Sequence, residues 1–537
     1  MLHGVSVKQV DVAPLLTEAV STNSPSHATS AGLFVVYLVG LGIYRLFFHP
    51  LAKVPGPRIA ALTSWYCAYY DVHLGGQYIW KIKQLHEQYG PVLRIMPDVV
   101  HVNDPGFIDK LYTQSPKVRR ERAPTVLAMF AKQFSMLPTK DHDLHRRRRA
   151  VLSLFFSHQS VRRLVPAIND TLAALLGRLQ ALAGSGEPVR LSPYFKATTK
   201  DVIQSYAFGG GQLCLEMDDL NEPFFAVLTS GRLSHLAVHF HSLMGNMARL
   251  PPVILVKLQP SILAMLEFVD GLTETIDAIR AQSPKAGDEL SEKGSIFREV
   301  LDGDIDESDK RTERLVDEAM ILAIAGADTT AWSLAAVCYR VLSNPTIFRR
   351  LRAELDSAMP DPTLPPDPAK LDGLRFLNAL IEEVLRMHPS ATHRQDRVAP
   401  DDDLVYVYDD GSSIVLPRGS SIGMAAPLLN RSPRLYRDPD TFDPDRFLED
   451  PTLARRSMTF SRGARQCIGI NLAYQELQTF TAGIFRKYSP YDPTQKVQNG
   501  PTMELYETTV ADIELHSDYV AAHAYPGSKG VRVRIRD

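Results

Sequence analysis

Chemistry in this chain of 537 residues centres on one cysteine. Cys467 lies in the run Phe460-Ser461-Arg462-Gly463-Ala464-Arg465-Gln466-Cys467-Ile468-Gly469. Gly463 and Gly469 permit tight backbone turns on either side of the sulfur. Arg465, two residues before it, can pair with an anionic group. A helix opening near Ile468 aims backbone N–H groups at the sulfur, which favours a thiolate, the metal-binding form. The competing reading is a buried structural cysteine, the usual fate of a lone intracellular Cys. Cys67, Cys214 and Cys338 are the only others, with no CxxC pair and no Cys/His cluster. That excludes a disulfide framework and argues against a zinc site.

Two further groupings carry charge or hydroxyls where a plain scaffold would not. Ala325-Gly326-Ala327-Asp328-Thr329-Thr330 falls in the middle of a helical pattern, Val316–Leu342, with Ser308 or Thr312 offering the N-cap and Asn344-Pro345 the stop. About 30 residues at 1.5 Å each span roughly 45 Å, enough to cross a whole domain. Gly in a helix interior costs about 1 kcal/mol against Ala, and Asp and Thr are poor formers too. A structural alternative has Thr329 bonding a carbonyl one turn back. Glu383-Val384-Leu385-Arg386 sets opposite charges at i,i+3 on one helix face, a pairing that means little alone.

Together these motifs resemble the cytochrome P-450 superfamily. The cysteine run fits FxxGxRxCxG at every fixed position, Glu383/Arg386 fit ExxR, and Phe442-Asp443-Pro444-Asp445-Arg446-Phe447 resembles the family's PxRF segment. The resemblance implies a haem b cofactor, iron protoporphyrin IX, with Cys467 as axial thiolate and metal ligand. Phe460, Gly463 and Gly469 then shape the ligand loop, and Arg465 pairs with a propionate. It implies a structural ion cluster of Glu383, Arg386 and Arg446. Small residues Ala325 and Gly326 would leave room for dioxygen, with Thr329 holding it and its water and Asp328 relaying protons. His145 and Arg149, i,i+4 in His145-Arg146-Arg147-Arg148-Arg149, would grip a propionate, His145 standing where relatives usually have Trp. Arg397 matches another propionate ligand, and Asn430 replaces a frequent histidine. Arg146, Arg147 and Arg148 would form a basic patch for an acidic redox partner.

What must position these groups is a mainly α domain with small peripheral β-sheets, the P-450 fold. Helical periodicity marks Tyr78–Tyr89, Leu144–Phe156, Val161–Leu182, Ile347–Met359, Leu374–His388 and Asn471–Lys487. Strand alternation is confined to Val92–Ile95, Val99–Val102, Leu404–Tyr408 and Ser413–Leu416. Ahead of the domain, Ala31–Phe48 is an apolar run with one charge, Arg45, which reads as a transmembrane anchor, a buried core helix being the alternative. Residues 1–30 would form a luminal N-terminus, 31–48 the anchor, 49–57 a proline-rich hinge and 58–537 one catalytic domain. Arg45, Lys53 and Arg58 follow the span, placing that domain on the cytoplasmic side. Asn169-Asp170-Thr171 is then a chance sequon.

With 59 basic and 61 acidic residues and net charge -2, nothing attracts nucleic acid, and 45% hydrophobic content excludes a disordered chain. The resemblance, which extends to membrane-anchored filamentous-fungal members of secondary metabolism, trichodiene oxygenase-like, implies a monooxygenase of the endoplasmic reticulum. Electrons would come from NADPH through a separate cytochrome reductase, with or without cytochrome b5, since no dinucleotide or flavin motif is present. The substrate would be a lipophilic terpenoid or polyketide-like molecule enclosed by Arg119–Phe134, Phe224–Met265, Met320–Ala327, Ser390–Gln395 and Met503–Thr509. A haem-thiolate isomerase or dehydratase independent of O2 and NADPH, and a non-catalytic membrane haem binder, are the alternatives; the Asp328-Thr329 pair argues against both.

Overall fold

The computed structural model describes residues 27–129, 134–209, 211–228, 232–240, 246–247, 249–260, 262–281 and 296–537. Its contacts divide the chain into Met1–Lys53 and Val54–Asp537. In the first unit, helix α1 (His27–Ile43) runs into a wider turn, Tyr44–Phe48. The stretch Ser30–Phe48 has mean hydropathy 1.9 and no buried residue, so it is long and apolar enough to cross a membrane. Most of the N-terminal 30 residues lie outside the described part.

The second unit is built on α-helices, with small sheets at its margin. Six of its helices matter for the site: α2 (Trp65–Ala68, continued by a wide turn at Tyr69–His73), α3 (His142–Phe155), α4 (Leu191–Phe208), α5 (Arg232–His239), α6 (Thr312–Leu342) and α7 (Arg375–Met387). A seventh, α8 (Ile470–Lys487), follows the cysteine. α6 is as apolar as a membrane span, but two-thirds of that window is buried inside the fold, so it is a core helix. It packs along α4, where Thr199 Oγ1 donates to the Ala327 carbonyl at 2.7 Å. The N-cap of α6 is Arg311, which makes no side-chain cap bond. Thr312, one of the expected caps, is its first residue and donates to Asp277 Oδ1 at 3.0 Å.

The main sheet has five strands, β1 (Val92–Met96), β2 (Val99–Val102), β3 (Glu121–Arg122), β4 (Arg397–Val398) and β5 (Ser421–Gly423), in the order β1-β2-β5-β4-β3. β1 and β2 form an antiparallel hairpin with Val92 opposite Val102, β2 runs parallel to β5, and β4 lies antiparallel to both β5 and β3. This arrangement carries Arg122 and Arg397 on directly paired strands. The expected single helix Val161–Leu182 is two, His158–Arg162 and Val165–Gln180, because Pro166 cannot donate within a helix interior and instead sits in the first turn of the second. Asn169 lies inside that second helix.

Candidate functional site

Cys467 borders a cavity of about 300 Å3. Its residue is accessible from that cavity while Gly463 and Arg465 of the same loop are buried. The loop is closed by Cys467 N–H donating to the Phe460 carbonyl at 2.9 Å. Gly463 has φ +75, and a Cβ there would lie 2.4 Å from the Tyr112 carbonyl oxygen, so only glycine fits. Gly469 departs from the expectation of a special turn. Its φ is −85 and it caps α8, but a Cβ would project into open space, and the residue lines the cavity. Its use is room beside the sulfur. Although the residue opens onto the cavity, the protein atoms packed around the sulfur desolvate it and push the Cys467 thiol up, and the Gly469 N–H and Arg149 only partly offset this. The helix start alone does not secure a thiolate; a metal cation on the sulfur would.

The loop is braced from behind. Arg386 donates to both Glu383 oxygens (2.7 and 2.8 Å) and Arg446 to Glu383 Oε1 (3.2 Å), all three side chains being buried. The structure thus brings Glu383, Arg386 and Arg446 together. Arg386 also holds the carbonyls of Asn430, Pro439 and Thr441. Asn430 is a brace: Nδ2 donates to Thr459 Oγ1 at 2.8 Å, and Oδ1 accepts from Met458 N at 2.9 Å. Thr459 Oγ1 in turn donates to the Leu385 carbonyl of α7.

One side of the cavity gathers three arginines and a histidine. Arg122, His145, Arg149 and Arg465 line it. Burial and then Arg397 push Arg465 down to about 9, and burial with Arg465, Arg122 and Arg149 pushes His145 down to about 2. Arg122, pushed well down by burial and then by Arg397, Arg465 and Arg149, has Nε without a hydrogen bond. Arg122 was missed as a ligand in the sequence; only the pairing of β3 with β4 reveals it. Arg465 spends its N–H groups on the carbonyls of Thr139, Lys140 and Asp141, and Arg149 Nη1 donates to the Gln466 carbonyl at 2.7 Å. Arg397 is outside the cavity wall, donating to the Gln395 and Asp396 carbonyls and to Ser461 Oγ. Arg146 and Arg147 are exposed, as a docking patch requires. Arg148 is not, because it pairs with Asp309 at 2.6 Å.

Across from Cys467, α6 presents Ala325, Gly326, Thr329 and Thr330 to the cavity. Thr329 Oγ1 donates to the Ala325 carbonyl at 2.8 Å, the structural alternative, yet stays on the wall. Asp328 points off the wall and pairs with Lys196 Nζ of α4 at 2.5 Å. Glu476 of α8, absent from the sequence reading, lines the cavity, is buried, and is pushed well up by that burial despite a hydrogen bond from Thr330. Two adjacent carboxylates on α6 fasten the loop at the cavity edge: Asp317 Oδ2 accepts from Phe134 N at 2.7 Å and Glu318 Oε2 from Met136 N at 2.8 Å. The remaining wall is mostly apolar, with Val126, Met129, Ile203, Ile321, Leu322 and Val520. Among the described residues, Phe224–Met265 and Met503–Thr509 contribute nothing to it, and neither does Leu127 or Ile324. Ile324 packs instead on Phe224 and Phe225. Phe130 lies outside the described residues.

Comparison with known proteins bears on this site. Residues 61–508 match the family model Cytochrome P450. The chain is 38% identical over 504 residues to the cytochrome P450 monooxygenase tpcC of Cochliobolus heterostrophus, covering 93% of this chain and 95% of that protein. It is 34% identical over 523 residues to the cytochrome P450 monooxygenase sdnE of Sordaria araneosa, covering 94% and 97%. The fold is similar to the crystal structure of the cytochrome P450DA heme domain, with TM-score 0.65 at 18% identity, over 87% of this chain and 95% of that one.

Haem held by a cysteine thiolate belongs to that family, and the residues here fit it. Arg122, Arg149 and Arg465 on one cavity, all three pushed down and Arg122 Nε without a hydrogen bond, fit a dianion such as the two propionates. The missing side chain of Gly469 leaves room for a flat ring beside Cys467.

Proposed function

Because the chain belongs to the cytochrome P450 family, whose haem-thiolate oxidoreductases act as monooxygenases, we propose that it hydroxylates a lipophilic terpenoid or polyketide-like molecule in fungal secondary-metabolite biosynthesis. Electrons come from NADPH through a separate reductase, with or without cytochrome b5. The observation that carries this reading is the facing pair of walls: Cys467 amid buried cations on one, and the small, hydroxylated turn of α6 over an apolar cavity on the other.

Bound on Cys467, the haem supplies the activation of dioxygen that no side chain can perform, the thiolate favouring O–O cleavage. The chain's own part is to place groups around it. Arg122, Arg149 and Arg465 neutralise the propionates, and neutral His145 donates a hydrogen bond. Val126, Met129, Ile321 and Leu322 take the substrate's apolar skeleton and exclude water. Thr329 Oγ1 exchanges its bond to Ala325 for one to a water in the oxygen site. Asp328 Oδ1 leaves Lys196 Nζ, takes up a proton from bulk water and passes it to the water held by Thr329, and the carboxylate so regenerated returns to the ion pair.

Ala31–Phe48 anchors the chain once in the endoplasmic reticulum membrane, with residues 1–30 luminal, 49–57 a hinge and 58–537 a cytoplasmic catalytic domain. Arg146 and Arg147 face the reductase. The test is the reduced, carbon monoxide-bound spectrum of the purified chain together with assay in yeast carrying a reductase. A far-shifted Soret band, NADPH consumption and product mass from isotopically labelled dioxygen are expected; a haem-loaded chain that converts substrate without NADPH overturns the monooxygenase reading.

A further inference from the structure

Away from the haem site, two helices each contribute an i,i+4 pair to one buried point. From the segment opened by α2 come Cys67 and Asp71, and from α5 come His235 and His239. Cys67 Sγ is 3.2 Å from Asp71 Oδ2 and 3.7 Å from His239 Nε2. His239 Nε2 is 3.3 Å and His235 Nδ1 3.6 Å from the same Asp71 oxygen. Cys67, Asp71 and His235 have no measurable exposure, and the His239 side chain only 4%. No sequence motif announces the site, because its two halves are 172 residues apart at the Cys67–His239 contact; the expectation of no Cys/His cluster holds along the chain and fails in space.

Several features point to a cation. His235 Nε2 lies 2.5 Å from the Asp518 carbonyl, which fixes its proton there and leaves the Nδ1 lone pair facing Asp71. That is the arrangement by which metal-bound histidines are oriented. Asp71 Oδ1 and His235 Nδ1, both buried, have no hydrogen-bond partner, a state a protein interior normally avoids. Around them three buried carboxylates, Asp71, Asp396 and Asp518, share one guanidinium, Arg394, whose N–H groups make no hydrogen bond.

We propose that Cys67, Asp71 and His239, whose ligand atoms lie within 4.8 Å of one another, bind a zinc ion that staples α5 to the segment 65–73, His235 closing in beside Asp71 as the fourth ligand. One thiolate, one carboxylate and two imidazoles suit a tetrahedral zinc site and are wrong for magnesium or calcium, which take oxygen. Binding releases the Cys67 proton to solvent, with no change of oxidation state. The staple stiffens one cavity wall, since His393, Arg394 and Val520 beside it line the cavity.

The test uses the full-length, haem-loaded chain without a histidine tag, stripped with chelator and dialysed against zinc chloride. Expected are one zinc per haem and a zinc-edge X-ray absorption spectrum with one sulfur at about 2.3 Å and nitrogen or oxygen at about 2.0–2.2 Å. Cys67→Ala should remove the sulfur shell, and His239→Ala should weaken zinc binding by more than the roughly 100-fold that loss of an outer hydrogen-bond partner costs. Both variants should keep the carbon monoxide spectrum, which reports an intact haem site. No stoichiometric zinc, zinc without a sulfur shell, or variants that bind as tightly as the parent overturn the proposal. Should a substitution cost the fold, the parent's sulfur shell decides.

Discussion

Lys196 Nζ of α4 lies 2.5 Å from Asp328 Oδ1 of α6, so the acid of the α6 turn is tethered by its neighbouring helix and kept off the cavity wall. A proton relay built on it has to break this pair in each cycle. Asp328→Asn should lower product turnover by roughly 100-fold, the low end of what a positioned proton donor contributes, with haem content unchanged. Lys196→Met should alter turnover and its solvent isotope effect without altering the haem spectrum. Stopped-flow and steady-state assays with the reductase check both.

Thr329→Ala should leave NADPH consumption standing while product per NADPH falls, because the hydroxyl that orders water is gone. Its lost bond to the Ala325 carbonyl should cost no more than about 1.5 kcal/mol of stability. Comparing product yield with NADPH consumed checks this; undiminished coupling contradicts the assigned role.

Arg122 yields an expectation of opposite sign in two states. In the haem-free chain it faces Arg149, Arg397 and Arg465, so Arg122→Met should raise the melting temperature. In the haem-loaded chain it removes a propionate partner and should cost about 1.5–3 kcal/mol, the range of a hydrogen bond to a charged group. Calorimetry on both forms, and haem transfer to apomyoglobin, measure it.

Glu383→Gln should release Arg386 and Arg446 as unpaired buried charges at a cost of order 3–5 kcal/mol. Arg386→Ala should yield protein that fails to retain haem. Absorbance per unit protein after purification, with urea unfolding, reads both; a fully loaded, stable Arg386→Ala chain contradicts the bracing role.

Glu382 supplies a pH dependence. Burial raises it from 4.5 to about 7, the hydrogen bond from Tyr474 Oη on α8 opposing only in part. The folded chain therefore holds a proton that the unfolded chain releases. Its contribution is fully present below pH 4.5 and is lost as pH rises to about 7. Glu382→Gln should be more stable than the parent at pH 8, with the gap shrinking as pH falls through 7. Denaturation midpoints at pH 5 and 8 check the sign.

Much of the site was legible where a single stretch of chain carries it. The cysteine loop, the α6 turn and Glu383/Arg386 are local patterns, and α6 and strands Val99–Val102 and Ser413–Leu416 end where their sequence patterns end. Relations between distant segments were not legible. Arg122 joins the cation cluster only through strand pairing, Arg148 leaves the exposed face only because Asp309 meets it, and Cys67 finds His239 only after folding. The wall at Ile203 and Val520 is of the same kind, set by how a helix and a distant strand turn pack together rather than by any residue pattern.

The clasp of Asp317 and Glu318 on the amides of Phe134 and Met136 has a mechanical consequence. Two neighbouring acids on one rigid rod tie residues 134 and 136 to the motion of α6, so replacing both by their amides should loosen this edge of the cavity while touching no reacting atom.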